Sequence, residues 1–232
     1  MFLTKNIISH RGIHDNKTIY ENTIEAFKLA IKKDYTIELD IHLTKDKKIV
    51  VFHDYNTKRI TKINKEVEES TYQELNNQNI IHIPLLEEVL NLVQGKVPLL
   101  IEIKQLNKVG ELEIILMSTL KDYKGKYAIQ SFNPKVLLWF KKHYPSILRG
   151  QLSYNYNKNK FSKYKRYVLK NMVFNPITKP HFISYKYNEL PLSKIKKYQS
   201  KNLIILGWTI TNQKDYEYYK KIYDNLICEK FI

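Results

Sequence analysis

The sequence predicts an α/β protein built as a single (β/α)8 TIM barrel, and three observations carry that prediction. Eight short apolar, β-branched runs recur along 232 residues, helix-like stretches separate most of them, and the residues capable of chemistry fall at the carboxyl ends of the early runs. Barrels of this class keep their active sites at those ends. The length suits one domain, and no Gly-, Pro- or Ser-rich linker, low-complexity tract or short repeat marks a boundary. Residues 1–232 are read as one domain.

Strand-like runs, apolar and β-branched, occupy 7–10, 37–41, 99–103, 128–131, 147–152, 182–185, 203–208 and 225–228. Helix-like stretches fall at 25–33, 85–93, 111–120, 134–143, 164–170, 192–200 and 213–223. Thr23 precedes the first as an N-cap, and Asn133-Pro134 opens the fourth with an Asn cap and a proline in the first turn. After the second strand a short extra β-run, 49–52, ends at His53, and a mostly polar insertion, 55–83, follows with a short helix at 72–76. This insertion is expected over the barrel mouth as a lid or substrate-selecting element. Only 229–232 follow the eighth run, so the last outer helix is expected to be short or missing.

Composition narrows the function classes. Hydrophobic residues make up 43% and charged residues 27%, as in ordinary globular proteins, and no run reaches the roughly 18 apolar residues of a membrane span. Residues 1–9 are too short for a secretory signal, which points to the cytoplasm. The single cysteine, Cys228, lies in an apolar run and reads as a small buried hydrophobe. The net charge of +16 comes from lysines spread over the whole chain, so no specific nucleic-acid partner is expected, although the general field favours small anions. Segment 155–170 interleaves Lys and Arg with Tyr156, Phe161, Tyr164 and Tyr167. A solvated loop and helix face is the preferred reading, with peripheral membrane contact as the alternative.

Glu38, Asp40 and Glu102 stand where a parallel strand should be continuously apolar. One such acid would suit a structural salt bridge. Three at strand ends would repel and resist desolvation unless a cation neutralised them, and oxygen-only donors select one hard divalent ion, Mg²⁺ or Ca²⁺. His10 and His53 both end apolar runs, and two imidazoles can divide general acid and base work at neutral pH. His14, His42, His82, His143 and His181 lie in loops, in helices or on the other strand face and are given no chemistry. Arg11 would hold phosphate oxygens through its planar fork, and Lys104 would neutralise charge beside Glu102, an ordinary ion pair being the equal alternative.

The assembled motifs resemble the glycerophosphodiester phosphodiesterase family of phospholipase-C-like TIM-barrel phosphodiesterases. His10-Arg11-Gly12, Glu21-Asn22-Thr23, Glu38-Leu39-Asp40-Ile41, Val51-Phe52-His53-Asp54, Glu102-Ile103-Lys104, Gln130-Ser131-Phe132 and Trp208-Thr209 stand in that family's order and spacing. The resemblance implies that Glu38, Asp40 and Glu102 bind the divalent ion, that His10 and His53 act as acid and base, and that Arg11 and Lys104 contact phosphate. Glu21, Asn22, Ser131, Phe132 and Trp208 would support the site. The implied reaction is metal-dependent hydrolysis of a small-molecule glycerophosphodiester to sn-glycerol 3-phosphate and an alcohol. The rivals are a lysophospholipid-directed or other phospholipid-directed phosphodiesterase on the same barrel and a non-catalytic binder of phosphorylated metabolites. This chain departs from the family pattern where Thr211 follows Trp208-Thr209-Ile210, and where Cys228-Glu229 replaces the usual Thr-Asp.

Overall fold

A computed structural model describes residues 2–77, 80–104, 108–156 and 161–231. They fall into two compact units, Ser9–Tyr127 and Met1–Ile8 with Ala128–Ile232.

Strand β1 (Ile8–Ser9) leads into the first of these units. Helix α1 (Ile24–Lys32) starts where the Thr23 hydroxyl accepts the Ala26 N–H, and it buries Ala26, Phe27 and Ala30. β2 (Thr36–Leu43) is buried along its whole length and turns back antiparallel into β3 (Ile49–Val51). Next come α2 (Lys58–Thr61), α3 (Tyr72–Asn76) and α4 (Leu86–Val93). The Thr71 and Glu74 side chains each accept the other's backbone N–H at the start of α3, a reciprocal cap that explains how so short a helix holds. β4 (Leu99–Ile103) pairs parallel to β2, and α5 (Glu111–Thr119) follows.

The insertion has its own apolar centre. Val50, Phe52, Ile60, Val67, Leu75 and Ile83 pack together, so the polar average of 55–83 concealed widely spaced core residues. Residues 78–79 of it lie outside the described residues.

Gly12, between β1 and α1, has φ +81°, and a Cβ there would meet Ala26 backbone and side-chain atoms at 2.8 Å. Gly12→Ala is expected to lower stability by about 2–4 kcal/mol, from left-handed strain together with overpacking. Urea unfolding measures this.

The second unit contains β5 (Tyr127–Ser131), α6 (Pro134–His143), β6 (Arg149–Ser153), α7 (Lys163–Lys170), α8 (Asn175–Thr178) and β7 (Phe182–Lys186). It continues through α9 (Leu192–Gln199), β8 (Ile204–Ile210), α10 (Gln213–Tyr219) and β9 (Asn225–Cys228). β5 to β9 pair parallel, each with the next. Asn133 caps α6 by accepting the Lys135 N–H, with Pro134 just inside, as expected. The buried core gathers Ile183, Tyr185, Ile205, Leu226 and Cys228, and burial pushes the Cys228 thiol up to about 12.

The strand order is β1-β9-β8-β7-β6-β5-β4-β2-β3, with β1 also paired to β2. That is the order of a (β/α)8 barrel with β3 as an antiparallel extra, which is the fold class expected. The differences are local. α2 and α8 are single turns without a periodic signal. β6 begins at Arg149, because the Ile147 N–H bonds back to the Tyr144 carbonyl in a turn. No helix follows β9 among the described residues, and no helix among them is long and apolar enough to cross a membrane.

Candidate active site and metal centre

The site is built within the first unit. Alternation along β2 puts Glu38 and Asp40 on one face, and the β2–β4 register sets Asp40 opposite Glu102. One oxygen from each of the three carboxylates lies within 4.8 Å of the others, and all three residues are buried. Burial, followed by repulsion from Asp40 and Glu102, holds the Glu38 carboxyl well above the usual carboxylate range. Asp40 goes the other way. Burial would raise it, but the charges of His53, Lys104 and Arg11 and a hydrogen bond from Asn22 hold it low. Among the described residues nothing donates a hydrogen bond to the buried Asp40 Oδ1, and Lys104 Nζ stands 3.6 Å from it. A buried anionic oxygen without a donor is costly. Three buried carboxylates gathered this closely fit a hard divalent cation.

Cations brace the cluster from two sides. Arg11 and Gly12 both have positive φ, which turns the chain after His10 so that the Arg11 N–H donates to Glu38 Oε2 at 3.1 Å. The Arg11 guanidinium donates to Glu21 Oε1 at 2.7 Å, and its Nε lies 3.2 Å from Asp40 Oδ2. Asn22, also at positive φ, donates its N–H to the Arg11 carbonyl at 3.0 Å and its side-chain amide to Asp40 Oδ2 at 2.9 Å. Lys104 Nζ stands 2.9 Å from Glu102 Oε1. Burial works against its charge, but Glu102 and Asp40 raise its pKa above the ordinary lysine value. His10 is half-buried immediately before Arg11.

A second network reaches His53. Its Nδ1 lies 2.6 Å from Asp54 Oδ1, Arg59 Nε donates to Asp54 Oδ2 at 2.6 Å, and the same guanidinium grips Glu21 through both oxygens at 2.9 and 2.6 Å. Asn16 adds a donor to Glu21 Oε2 at 2.8 Å. A continuous chain therefore runs His53–Asp54–Arg59–Glu21–Arg11. Three further residues were not singled out from sequence. Arg59 sits in α2, within a Lys- and Arg-rich insertion that offers no signal to distinguish it. Tyr55 donates its hydroxyl to the Lys104 carbonyl at 2.9 Å. His42, fully buried on the other face of β2, has Nε2 3.3 Å from the His53 carbonyl and Tyr55 edge-on at 5.2 Å. It takes no chemistry, but it helps fix the backbone that carries His53.

Glu21 is only 5% exposed. Burial opposes its charge, but the Arg59 and Arg11 interactions bring its pKa down to about 2. A carboxylate depressed in the folded state stabilises the fold above its unfolded value of roughly 4.3 and loses that contribution as pH falls toward about 2. Arg59→Ala should therefore move the acid-unfolding midpoint upward in pH, as followed by circular dichroism. An unchanged midpoint would mean that the Arg59–Glu21 contact contributes nothing.

The other three sequence-selected residues belong to the second unit. Ser131 is buried, and its hydroxyl accepts the Asn133 N–H at 3.2 Å. Phe132 and Trp208 meet edge to face at 5.7 Å, with Tyr154 completing an aromatic trio. Residues 157–160 of the basic, aromatic segment lie outside the described residues.

Residues 10–227 match the sequence profile of the Glycerophosphoryl diester phosphodiesterase family. Bacillus subtilis YhdW is 37% identical over 154 residues, covering 61% of this chain and 63% of that protein. A glycerophosphodiester phosphodiesterase of Caldanaerobacter subterraneus is 35% identical over 161 residues, 63% of this chain and 65% of the relative. The chain thus spans less than two thirds of the length of either curated relative. Among solved structures, an Oleispira antarctica phosphodiesterase in complex with the product sn-glycerol-3-phosphate shares the fold at TM-score 0.78 and 19% identity, over 96% of this chain and 92% of that one.

Proposed function

The chain belongs to the glycerophosphoryl diester phosphodiesterase family, and on that premise we propose that it hydrolyses small glycerophosphodiesters to sn-glycerol 3-phosphate and an alcohol with the help of one divalent cation. The observation that carries this reading is the clustering of one oxygen each from buried Glu38, Asp40 and Glu102 within 4.8 Å, on the protein that also holds the His53–Asp54 pair. The name of the Caldanaerobacter relative and the product held by the Oleispira enzyme support the substrate class.

Glu38, Asp40 and Glu102 would hold the ion, and their oxygen-only donor set suits Mg²⁺ or Ca²⁺. When bound, it would supply Lewis-acid polarisation of a phosphoryl oxygen. Arg11 and Lys104 add fixed positive charge beside the carboxylates, where it can offset charge developing on the phosphoryl group. His53 has Nδ1 committed to Asp54, so its Nε2 is the nitrogen that exchanges a proton with the ester. His10 takes the complementary role. The segment 55–83 would border the bound substrate, since its Tyr55 and Arg59 reach Lys104 and Glu21.

Two imidazoles in opposite protonation states give a bell-shaped dependence of kcat/KM on pH. One limb should disappear in His10→Ala and the other in His53→Ala, as read in residual rates across the pH range.

The direct test is release of glycerol 3-phosphate from glycerophosphocholine, glycerophosphoethanolamine and glycerophosphoglycerol, with and without a chelator, beside release of choline from lysophosphatidylcholine. Chelator-sensitive turnover of a glycerophosphodiester is expected. Turnover of the lysolipid alone would move the substrate to the phospholipid class, and turnover of none would leave a binding protein.

A further inference from the structure

Within the second unit, one face of α7 and the turn between β7 and α9 enclose a groove of about 580 Å³. Lys163, Arg166 and Lys170 line it from α7, and Lys194 lines it from α9. Among the described residues the one carboxylate on the wall, Glu189, already accepts the Lys186 ammonium at 2.7 Å and the Asn155 N–H. Among the described residues, none of the four lining cations makes an ion pair. Lys194 donates to the Asn171 amide oxygen at 2.7 Å and Arg166 to the Tyr156 carbonyl at 3.1 Å, both neutral acceptors. Four positive charges held around one concavity repel each other unless an anion enters it.

The rim is apolar and exposed. α7 buries none of its residues. Tyr167 on the groove wall is 65% exposed, Tyr164 one turn earlier is 80% exposed, and Leu192 beside Pro191 is 49% exposed. A short helix rich in Lys and Arg with exposed Tyr is the chemistry of a segment lying in a membrane interface, where phenol rings sit at headgroup depth and cations meet lipid phosphates. A single-stranded nucleic-acid site would carry its cations along a groove that tracks several successive phosphates. Here they centre on one groove large enough for a phosphate headgroup.

We propose that this groove and its aromatic rim dock the protein on an anionic phospholipid bilayer, with lipid phosphate seated among Lys163, Arg166, Lys170 and Lys194. The surface is independent of the carboxylate site, and its test does not depend on what that site hydrolyses.

Co-sedimentation with vesicles of phosphatidylcholine alone, and of phosphatidylcholine mixed with phosphatidylglycerol, measures the docking. Binding is expected only to the mixed vesicles. The pair Lys163→Ala with Lys170→Ala should weaken it about 20- to 30-fold, at about fivefold per lysine near the surface. Lys121→Ala with Lys124→Ala removes the same charge from exposed positions in the other unit and should change binding less than twofold. Tyr164→Ala with Tyr167→Ala should weaken it at high salt as well as low, which a purely Coulombic field would not do. Equal losses for the two lysine pairs would reduce the effect to net charge and overturn the proposal. So would absence of binding to the mixed vesicles, or groove-dependent capture of a single-stranded oligonucleotide without vesicle binding.

Discussion

Replacing Glu38 with Gln should leave the metal-free protein at least as stable as the parent while removing its response to divalent cations. Three carboxylate oxygens lie within 4.8 Å in a buried pocket, and Arg11 and Lys104 are the cations braced against them. Taking away one negative charge relieves repulsion in the empty site. A glutamine oxygen still accepts the Arg11 N–H that Glu38 now receives. With ion present the order reverses. At about one hundred times its Kd, an ion adds roughly 2.7 kcal/mol to the parent, which for a protein of this size raises Tm by about 5–10 °C. The variant should show none of this rise, and its turnover at the parent's saturating metal concentration should fall by about 100-fold or more. Asp40→Asn supplies the contrast, because Asp40 Oδ2 receives the Asn22 amide and faces Arg11 Nε. That variant should lose both metal response and apo stability. Thermal melts with and without Mg²⁺ or Ca²⁺ separate the two. A normal Tm rise in Glu38→Gln would remove Glu38 from the ligand set.

The carboxylates were legible in the sequence because they break a rule that local pattern enforces. A parallel strand buried on both faces should read apolar throughout, and Glu38 and Asp40 two residues apart, with Glu102 in the next parallel strand, violate it at positions that face the same way. The strands and longer helices were legible for a similar reason: caps such as Thr23 and Asn133-Pro134 act within a few residues of the element they start. The network behind His53 was not. Arg59, bonded to Asp54, reaches back 38 residues to Glu21, and His42 supports the His53 backbone from the strand face opposite the carboxylates. Such contacts depend on how the insertion folds over Val50 and Phe52, and that small core has no period to read. Ser131, Phe132 and Trp208 carried no local signal either and entered only through the family resemblance.

His53→Ala should lower kcat/KM by about 10²–10⁴ and leave the metal-induced Tm rise intact. The size follows from losing a positioned proton donor or acceptor, and the preserved rise follows from the ion depending on the carboxylates rather than the imidazole. Asp54→Asn should cost less, on the order of 10–100-fold. The Asp54 carboxylate is 2.6 Å from Nδ1, so it fixes the ring's orientation and places the proton on that nitrogen, whereas an amide can hold the ring in place with the wrong tautomer. Arg59→Ala acts one bond further out. It removes one donor from Asp54 Oδ2 and one from each Glu21 oxygen, which keep Arg11 and Asn16, so it should lower kcat less than Asp54→Asn does and also move the acid-unfolding midpoint, which Asp54→Asn should move less. A graded series of His53, Asp54 and Arg59 in kcat/KM, with metal binding flat across it, is what a proton-transfer chain built on top of a separate ion site requires. If His53→Ala lost metal response in step with activity, the two networks would be one structural unit, and His53 would be holding the site together rather than moving a proton.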